Sequence, residues 1–207
     1  MNRAAFYAAL RESGLYGRTL TQEQVSGIEG LLAAFAEVGD KRPDTLAYGL
    51  ATAYHETGQR MVPVREGFAS SDASARRAVN ALAAKRGPSS AVAKYAKPAG
   101  PHGHVYYGRG HVQLTWLENY AASSHDAGVD LVANPDAMLD PFISARVLWN
   151  GLADGRWNGR KVGLSAYLDA GDLLGARRTV NVQDKAAEIA GYHRKFLACI
   201  NAAGGLK

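Results

Sequence analysis

Apolar positions recur at helical spacing through most of the chain. In LTQEQVSGIEGLLAAFAEVG, residues 20–39, Val25, Ile28, Leu31, Leu32 and Phe35 fall on one face, the pattern of an amphipathic helix with a buried stripe. Thr21 and Gln24 stand at capping-box spacing at its start, and Gly39 ends it. After the turn KRPD, the stretch TLAYGLATAYHETG at 45–58 predicts a second helix, with Leu46, Leu50 and Ala53 spaced for a core and Gly58 closing its C-terminus. Periodicity predicts further helices over about 72–86, 116–127, 141–153 and 183–202. Asp140 before Pro141 is a cap and first-turn pair.

The pattern breaks at 97–115, KPAGPHGHVYYGRGHVQLT, where two prolines and four glycines preclude a regular helix. The alternation in HVYYGRGHVQLT predicts a short strand pair or an extended loop. Loops on a rigid scaffold carry function disproportionately, which marks this segment for attention. There is no internal repeat and no linker composition, so the expected organisation is one domain over 1–207. Residues 1–40 read as a helical N-terminal part with apolar faces made for packing, and 41–207 as the core.

Composition adds bounds to this picture. A length of 207 residues with 47% hydrophobic and 21% charged positions fits a globular domain with a sizeable core. The formal net charge of +5 favours anionic partners. The cations are spread along the chain, with a concentration at Arg76, Arg77, Lys85, Arg86, Lys94 and Lys97 that reads first as a solvated helical face. The single cysteine, Cys199 in KFLACI, allows no internal disulfide and reads as a core thiol. The N-terminus lacks the apolar run and cleavage site of a signal peptide, and no segment is long enough to cross a bilayer. The expectation is a monomer made in the cytoplasm that reaches an outside target only through a separate membrane pore.

Two glutamates stand out. Glu56 falls in the last turn of its predicted helix, where the negative end of the helix dipole and the neighbours Tyr54 and Met61 favour a protonated carboxyl. Glu66 lies in the following loop beside Arg65 and near Arg60, and cations favour an ionised carboxylate. A protonated and an ionised carboxyl in differing environments form the acid and base pair of a glycosidase. By spacing alone they read first as solvated surface charges.

HETG at 55–58, followed by YYGRGHVQLTWLENY at 106–120, resembles glycoside hydrolase family 19, which contains chitinases and bacteriophage endolysins. The resemblance rests on Tyr107, Gly108, Arg109, Gly110, Gln113, Leu114, Thr115, Asn119 and Tyr120, and continues more loosely through ANPDAMLDPFISARVLW and RRTVNVQDKAAEIAGYHRKF. The short interval between the glutamates is similar to phage-type members. The resemblance implies a mainly α, lysozyme-like α+β fold, with two helical lobes around a substrate cleft and a small extended segment near 103–115. It implies inversion: Glu56 as acid, Glu66 as base, the carboxyls roughly 6.5–9.5 Å apart to admit a water, and Thr115 helping to hold that water. Gln113 and Asn119 would bind acetamido and hydroxyl groups, and Tyr107 or Tyr106 would offer a ring to a sugar. His55, Arg109, Tyr120, Asn181 and Lys185 complete the substrate-binding set, with no cofactor and no metal.

Two departures bear on substrate. VNVQD stands where many members have an Asn-Gly-Gly run, so only Asn181 carries over, and Lys185 stands where chitinases have an arginine. Lysine lacks the forked contact that a guanidinium makes with a carboxylate. The implied activity is hydrolysis of peptidoglycan β-1,4 linkages by an endolysin, with anionic cell wall as the partner and neither nucleic acid nor a membrane. A chitinase is the alternative, followed by a silent wall-binding module. A zinc amidase using His102, His104 and His111 comes last, because HETGQ lacks a second His four residues on and carboxylate or cysteine ligands at zinc spacing are missing.

Overall fold

The computed structural model describes residues 1–159 and 161–206. The helices are α1 (Arg3–Glu12), α2 (Gln22–Val38), α3 (Pro43–Glu56), α4 (Asp72–Arg86), α5 (Ala91–Tyr95), α6 (Leu117–Ala127), α7 (Pro141–Asp154), α8 (Leu164–Asp169) and α9 (Ala186–Ala202). Two two-residue strands, β1 (Val64–Arg65) and β2 (Arg109–Gly110), pair antiparallel with Val64 opposite Gly110 and Arg65 opposite Arg109. The mainly α expectation holds. The extended segment finds its strand partner at 64–65, and it also bridges onto itself where Arg109 and Leu114 exchange both backbone hydrogen bonds.

The chain divides into two compact units: 1–62 with 148–207, and 63–147. Residues 1–40 share a unit with the C-terminal helix because α1 packs on α9 and Asn2 N–H donates to the Ala203 carbonyl at 2.9 Å.

In the first unit α3 is buried on every side from Thr45 to Tyr54, the signature of a central helix, and α2, α8 and α9 pack on it. Small residues permit that packing. A Cβ at Gly49 would lie 1.9 Å from the Trp149 ring, and one at Gly27 would lie 2.2 Å from the Met61 carbonyl oxygen. Trp149 is fixed in turn by donating to the Leu31 carbonyl at 3.1 Å and by an edge contact with Phe35. The capping box of α2 forms as read from Thr21 and Gln24, and Cys199 is a buried thiol whose pKa burial pushes up. Among the described residues no helix is long and apolar enough to cross a membrane.

His193 of α9 is buried, with its Nε2 at 3.2 Å from Asp44 Oδ1 but not aligned for a hydrogen bond. Burial lowers its pKa and Arg194 acts in the same sense, outweighing Asp44. The folded chain therefore holds a neutral imidazole where the unfolded chain takes up a proton near pH 6.5. Stability should fall as pH drops below about 6.5, at up to about 1.4 kcal/mol per pH unit from this group. Urea unfolding of the parent and of His193→Gln between pH 7 and 5 checks this, and an equally steep decline in the variant would refute it.

The second unit is built on α4 and α5, whose Ala75, Val79, Val92 and Ala96 pack with Val105 and Tyr107. Asp140 caps α7 as expected, accepting from the N–H groups of Phe142 and Ile143. Gly110, at φ +86, lies so near Ser144 that a Cβ would stand 2.6 Å from its hydroxyl. That hydroxyl meets both the backbone N–H and the Nδ1 of His111, at 2.8 and 3.0 Å.

Candidate active site

Glu56 ends α3, and the chain turns sharply beyond it. Gly58, at φ +57, donates to the His55 carbonyl, and Gln59 N–H reaches the Tyr54 carbonyl at 2.7 Å, the two bonds of a Schellman closure. Buried Thr57 reinforces the turn, donating to the Ala53 carbonyl and accepting from Met61 N–H. The helix terminus that carries Glu56 is thus closely fixed.

The neighbour of the Glu56 carboxyl differs from the apolar pair expected. Tyr54 turns into the core against Tyr16, Tyr192 and Phe196, with its hydroxyl on the Leu15 carbonyl, and Met61 is fully buried. Arg177 meets Glu56 instead, its Nη2 at 2.7 Å from Oε1, with the arginine side chain 2% exposed and the glutamate 14%. Arg177 lies in the 3-10 turn Gly175–Thr179 and is braced by donating from Nε to the Asp184 carbonyl at 3.0 Å. The sequence reading put this cationic role near Lys185. Lys185 instead begins α9 on the surface and pairs with Glu188 at 2.7 Å. Asn181 is exposed, and its side-chain oxygen accepts from Val182 N–H. His55 is half-buried.

Glu66 opens the 3-10 turn Glu66–Phe68 directly after β1. Its surroundings also differ from the expected arginines. Arg65 turns away to Asp136 at 2.7 Å. Both Glu66 carboxylate oxygens take neutral donors: Tyr95 donates its hydroxyl to Oε1 at 2.6 Å, and Gly108 donates its N–H to Oε2 at 2.9 Å. The Glu66 N–H in turn donates to the Gly108 carbonyl at 2.7 Å. A Cβ at residue 108 would stand 2.8 Å from the Gln113 side-chain oxygen, so a larger residue there would displace that amide.

The motif residues around Gly108 form one clasp. Gln113 spans the strand pair, donating from Nε2 to the Val64 and Gly110 carbonyls at 3.0 and 3.2 Å. The Thr115 hydroxyl donates to the Gln113 carbonyl, and Asn119 donates to the Thr115 carbonyl. The Thr115 hydroxyl oxygen keeps lone pairs with which to accept from a water.

Tyr107, Arg109 and Tyr120 were expected to touch substrate, and burial corrects this. They are 0%, 2% and 0% exposed, so no surface remains for a sugar. Their work is internal. The Arg109 guanidinium lies 3.6 Å over the Tyr107 ring and donates to Asp136 at 2.7 Å, Asp72 at 3.3 Å and Tyr120 at 3.1 Å. The Tyr120 hydroxyl returns to the Tyr107 carbonyl at 2.8 Å. Burial pushes the Asp136 carboxyl up, but Arg65 and Arg109 outweigh it and hold the group below the usual carboxylate range.

His111 is buried on Ser144, whereas His102 and His104 stack on one another and His104 meets the Ala133 carbonyl. Among the described residues no group of three or more His, Cys, Asp or Glu side chains is placed to hold a metal ion.

Sequence reading missed Arg177, Tyr95, Asp72 and Asp136. RRTVNVQD pointed near the first, but no local pattern distinguishes these four from surface residues.

The class I chitinase profile of glycoside hydrolase family 19 matches residues 24–157. The chain is similar to endochitinase A2 of Pisum sativum, with 47% identity over 49 residues, which are 23% of this chain and 15% of the pea protein. It is similar to an endochitinase of Persea americana, with 30% identity covering 48% of this chain and 36% of that protein. The chain thus spans well under two thirds of these relatives. Its fold is that of chitinase C from Streptomyces griseus HUT6037, with TM-score 0.57 and 20% identity over 99% of this chain and 77% of the other.

Proposed function

The chain belongs to glycoside hydrolase family 19, the class I chitinase family, and on that premise we propose that it is a bacteriolytic glycosidase cleaving peptidoglycan β-1,4 linkages with inversion. Glu56 protonates the leaving glycosidic oxygen. Glu66 draws a proton from a water held with the help of Thr115, and that water attacks the opposite face of the sugar. Gln113 and Asn119 offer amide groups to sugar substituents.

The observation that carries this reading is the bracing of each carboxyl. Arg177 grips Glu56, and Tyr95 with Gly108 fills both oxygens of Glu66. Preorganised groups of this kind lower the reorganisation that reaction demands. A net charge of +5 suits an anionic wall better than neutral chitin. The names of the relatives favour a second reading, a chitinase using the same acid and base.

Zymography on peptidoglycan and colloidal chitin in parallel decides between the two. Clearing of peptidoglycan with little release from chitin is expected, and equal or better chitin cleavage overturns the choice of substrate. Nuclear magnetic resonance of the first-formed anomer tests inversion.

Tyr95 acts through Glu66 and is a positioning residue. A hydrogen bond to a charged group contributes about 1.5 kcal/mol, so Tyr95→Phe is expected to lower kcat by about tenfold with KM changed by no more than about twofold. A rise in KM at constant kcat would assign Tyr95 to substrate binding instead.

A further inference from the structure

Between Ala73 and Leu117 the chain has no Asp or Glu, yet Arg76, Arg77, Lys85, Arg86, Lys94 and Lys97 all fall within it. In the structure these six are exposed on or beside α4 and α5, two helices packed on one another. Arg76 approaches Asp72 at only 3.9 Å. Among the described residues no ion pair engages Arg77, Lys85, Arg86, Lys94 or Lys97.

Helix dipoles account for part of this set. Lys85, Arg86 and Lys94 occupy last turns, where a cation is favoured. Arg77 in the first half of α4 and Lys97 beyond α5 have no such reason. Clustered unpaired cations repel one another, a cost that an anionic partner removes.

The same two helices border an open hollow of about 350 Å³ lined by Asn80, Ala83, Ala84, Ala93, Ala96 and Lys97, among others. Methyl walls with one amide and one ammonium suit a small alkyl group that carries a carboxylate. The face also adjoins the proposed base within its own unit. A Cβ on Gly67, next to Glu66, would lie 3.5 Å from Ala78 of α4. Arg86 is close enough to act on Tyr95, whose hydroxyl holds Glu66.

We propose that the α4–α5 face is a docking surface for the carboxylate-bearing peptide stems of a peptidoglycan strand, holding the polymer beside Glu66. This rests on the peptidoglycan reading above and names a contact outside the acid and base pair. Chitin carries no such carboxylates, so the face is a source of selectivity between the two polymers.

The test measures binding of the Glu56→Gln protein to purified sacculi free of teichoic acid, with and without Arg77→Ser, Lys85→Ser, Lys94→Ser and Lys97→Ser combined. The expected result at low salt is a Kd raised at least about tenfold by the four changes, each exposed charge contributing a fraction of a decade. The thermal midpoint should be retained. At about 0.5 M salt, where screening is short-ranged, the difference should nearly vanish. Amidating the stem carboxylates should weaken parent binding to the same degree. An unchanged Kd in the variant, or on amidated sacculi, overturns the docking face. Tighter binding to duplex DNA than to sacculi overturns it as well, assigning the face to nucleic acid. Release of reducing ends separates the two claims. Hydrolysis by the parent protein with unchanged variant binding removes the docking face alone, whereas charge-dependent binding without hydrolysis removes the glycosidase reading alone.

Discussion

Glu56→Gln is expected to lower turnover on peptidoglycan by about 10²–10⁴-fold, the usual worth of a positioned acid, while the protein stays folded. The amide keeps the shape of the carboxyl, and its oxygen can stay beside the Arg177 Nη2 found 2.7 Å from Oε1. What it lacks is the proton. Glu56→Ala separates chemistry from architecture, because it leaves Arg177, 2% exposed, without its carboxyl partner. Breaking a buried pair from one side costs about 3–5 kcal/mol, so the alanine variant should lose stability as well as activity. Initial rates and thermal unfolding on both variants provide the check. Near-full turnover in the glutamine variant rules Glu56 out as the acid, and an alanine variant as stable as the parent shows that the ion pair contributes nothing to folding.

Asp136→Ala should cost the 63–147 unit much of its stability. Asp136 receives Arg65 on one oxygen and Arg109 on the other, both at 2.7 Å. Removing it leaves a guanidinium at 2% exposure with Asp72 at 3.3 Å as its remaining carboxylate. Asp136 is itself 40% exposed and Arg109 keeps Tyr120 and the Val105 carbonyl. The expected loss is therefore about 3 kcal/mol, the low end for a broken buried pair. That corresponds to a drop in Tm of roughly 6–12 °C for a chain of this size. The contribution has a definite pH dependence. The folded carboxyl titrates below its unfolded value, so its stabilisation is fully present above about pH 4 and is lost as pH falls through the folded pKa. Parent and variant should thus converge in stability toward low pH. Parallel curves down to pH 2 would refute this assignment.

Activity should fall in this variant too. Arg109, held by Asp136, directly follows Gly108, whose N–H and carbonyl both engage Glu66. A loosened clasp moves the proposed base without changing its chemistry, so kcat is the parameter expected to suffer.

The amino-acid sequence by itself determined the local elements. Capping residues such as Thr21, Gln24 and Asp140, the apolar stripe of α2 and the glycine after Glu56 act within a few residues of themselves. For that reason the 72–86 helix matches its prediction, and α6 and α7 each match to one residue. The sequence also marked 97–115 as an irregular segment, because its glycines and prolines forbid a helix. Tertiary structure alone decided what surrounds each carboxyl. Arg177 reaches Glu56, and Tyr95 reaches Glu66, through packing of segments distant in the chain. An arginine that grips a buried carboxyl and one that faces water are written with the same letter. Burial likewise reversed the expectation for Tyr107, Arg109 and Tyr120, since a motif records which side chains are needed but not whether they face a ligand or the interior. Long-range contacts are set by how whole elements pack, and no pattern confined to a short window contains that information.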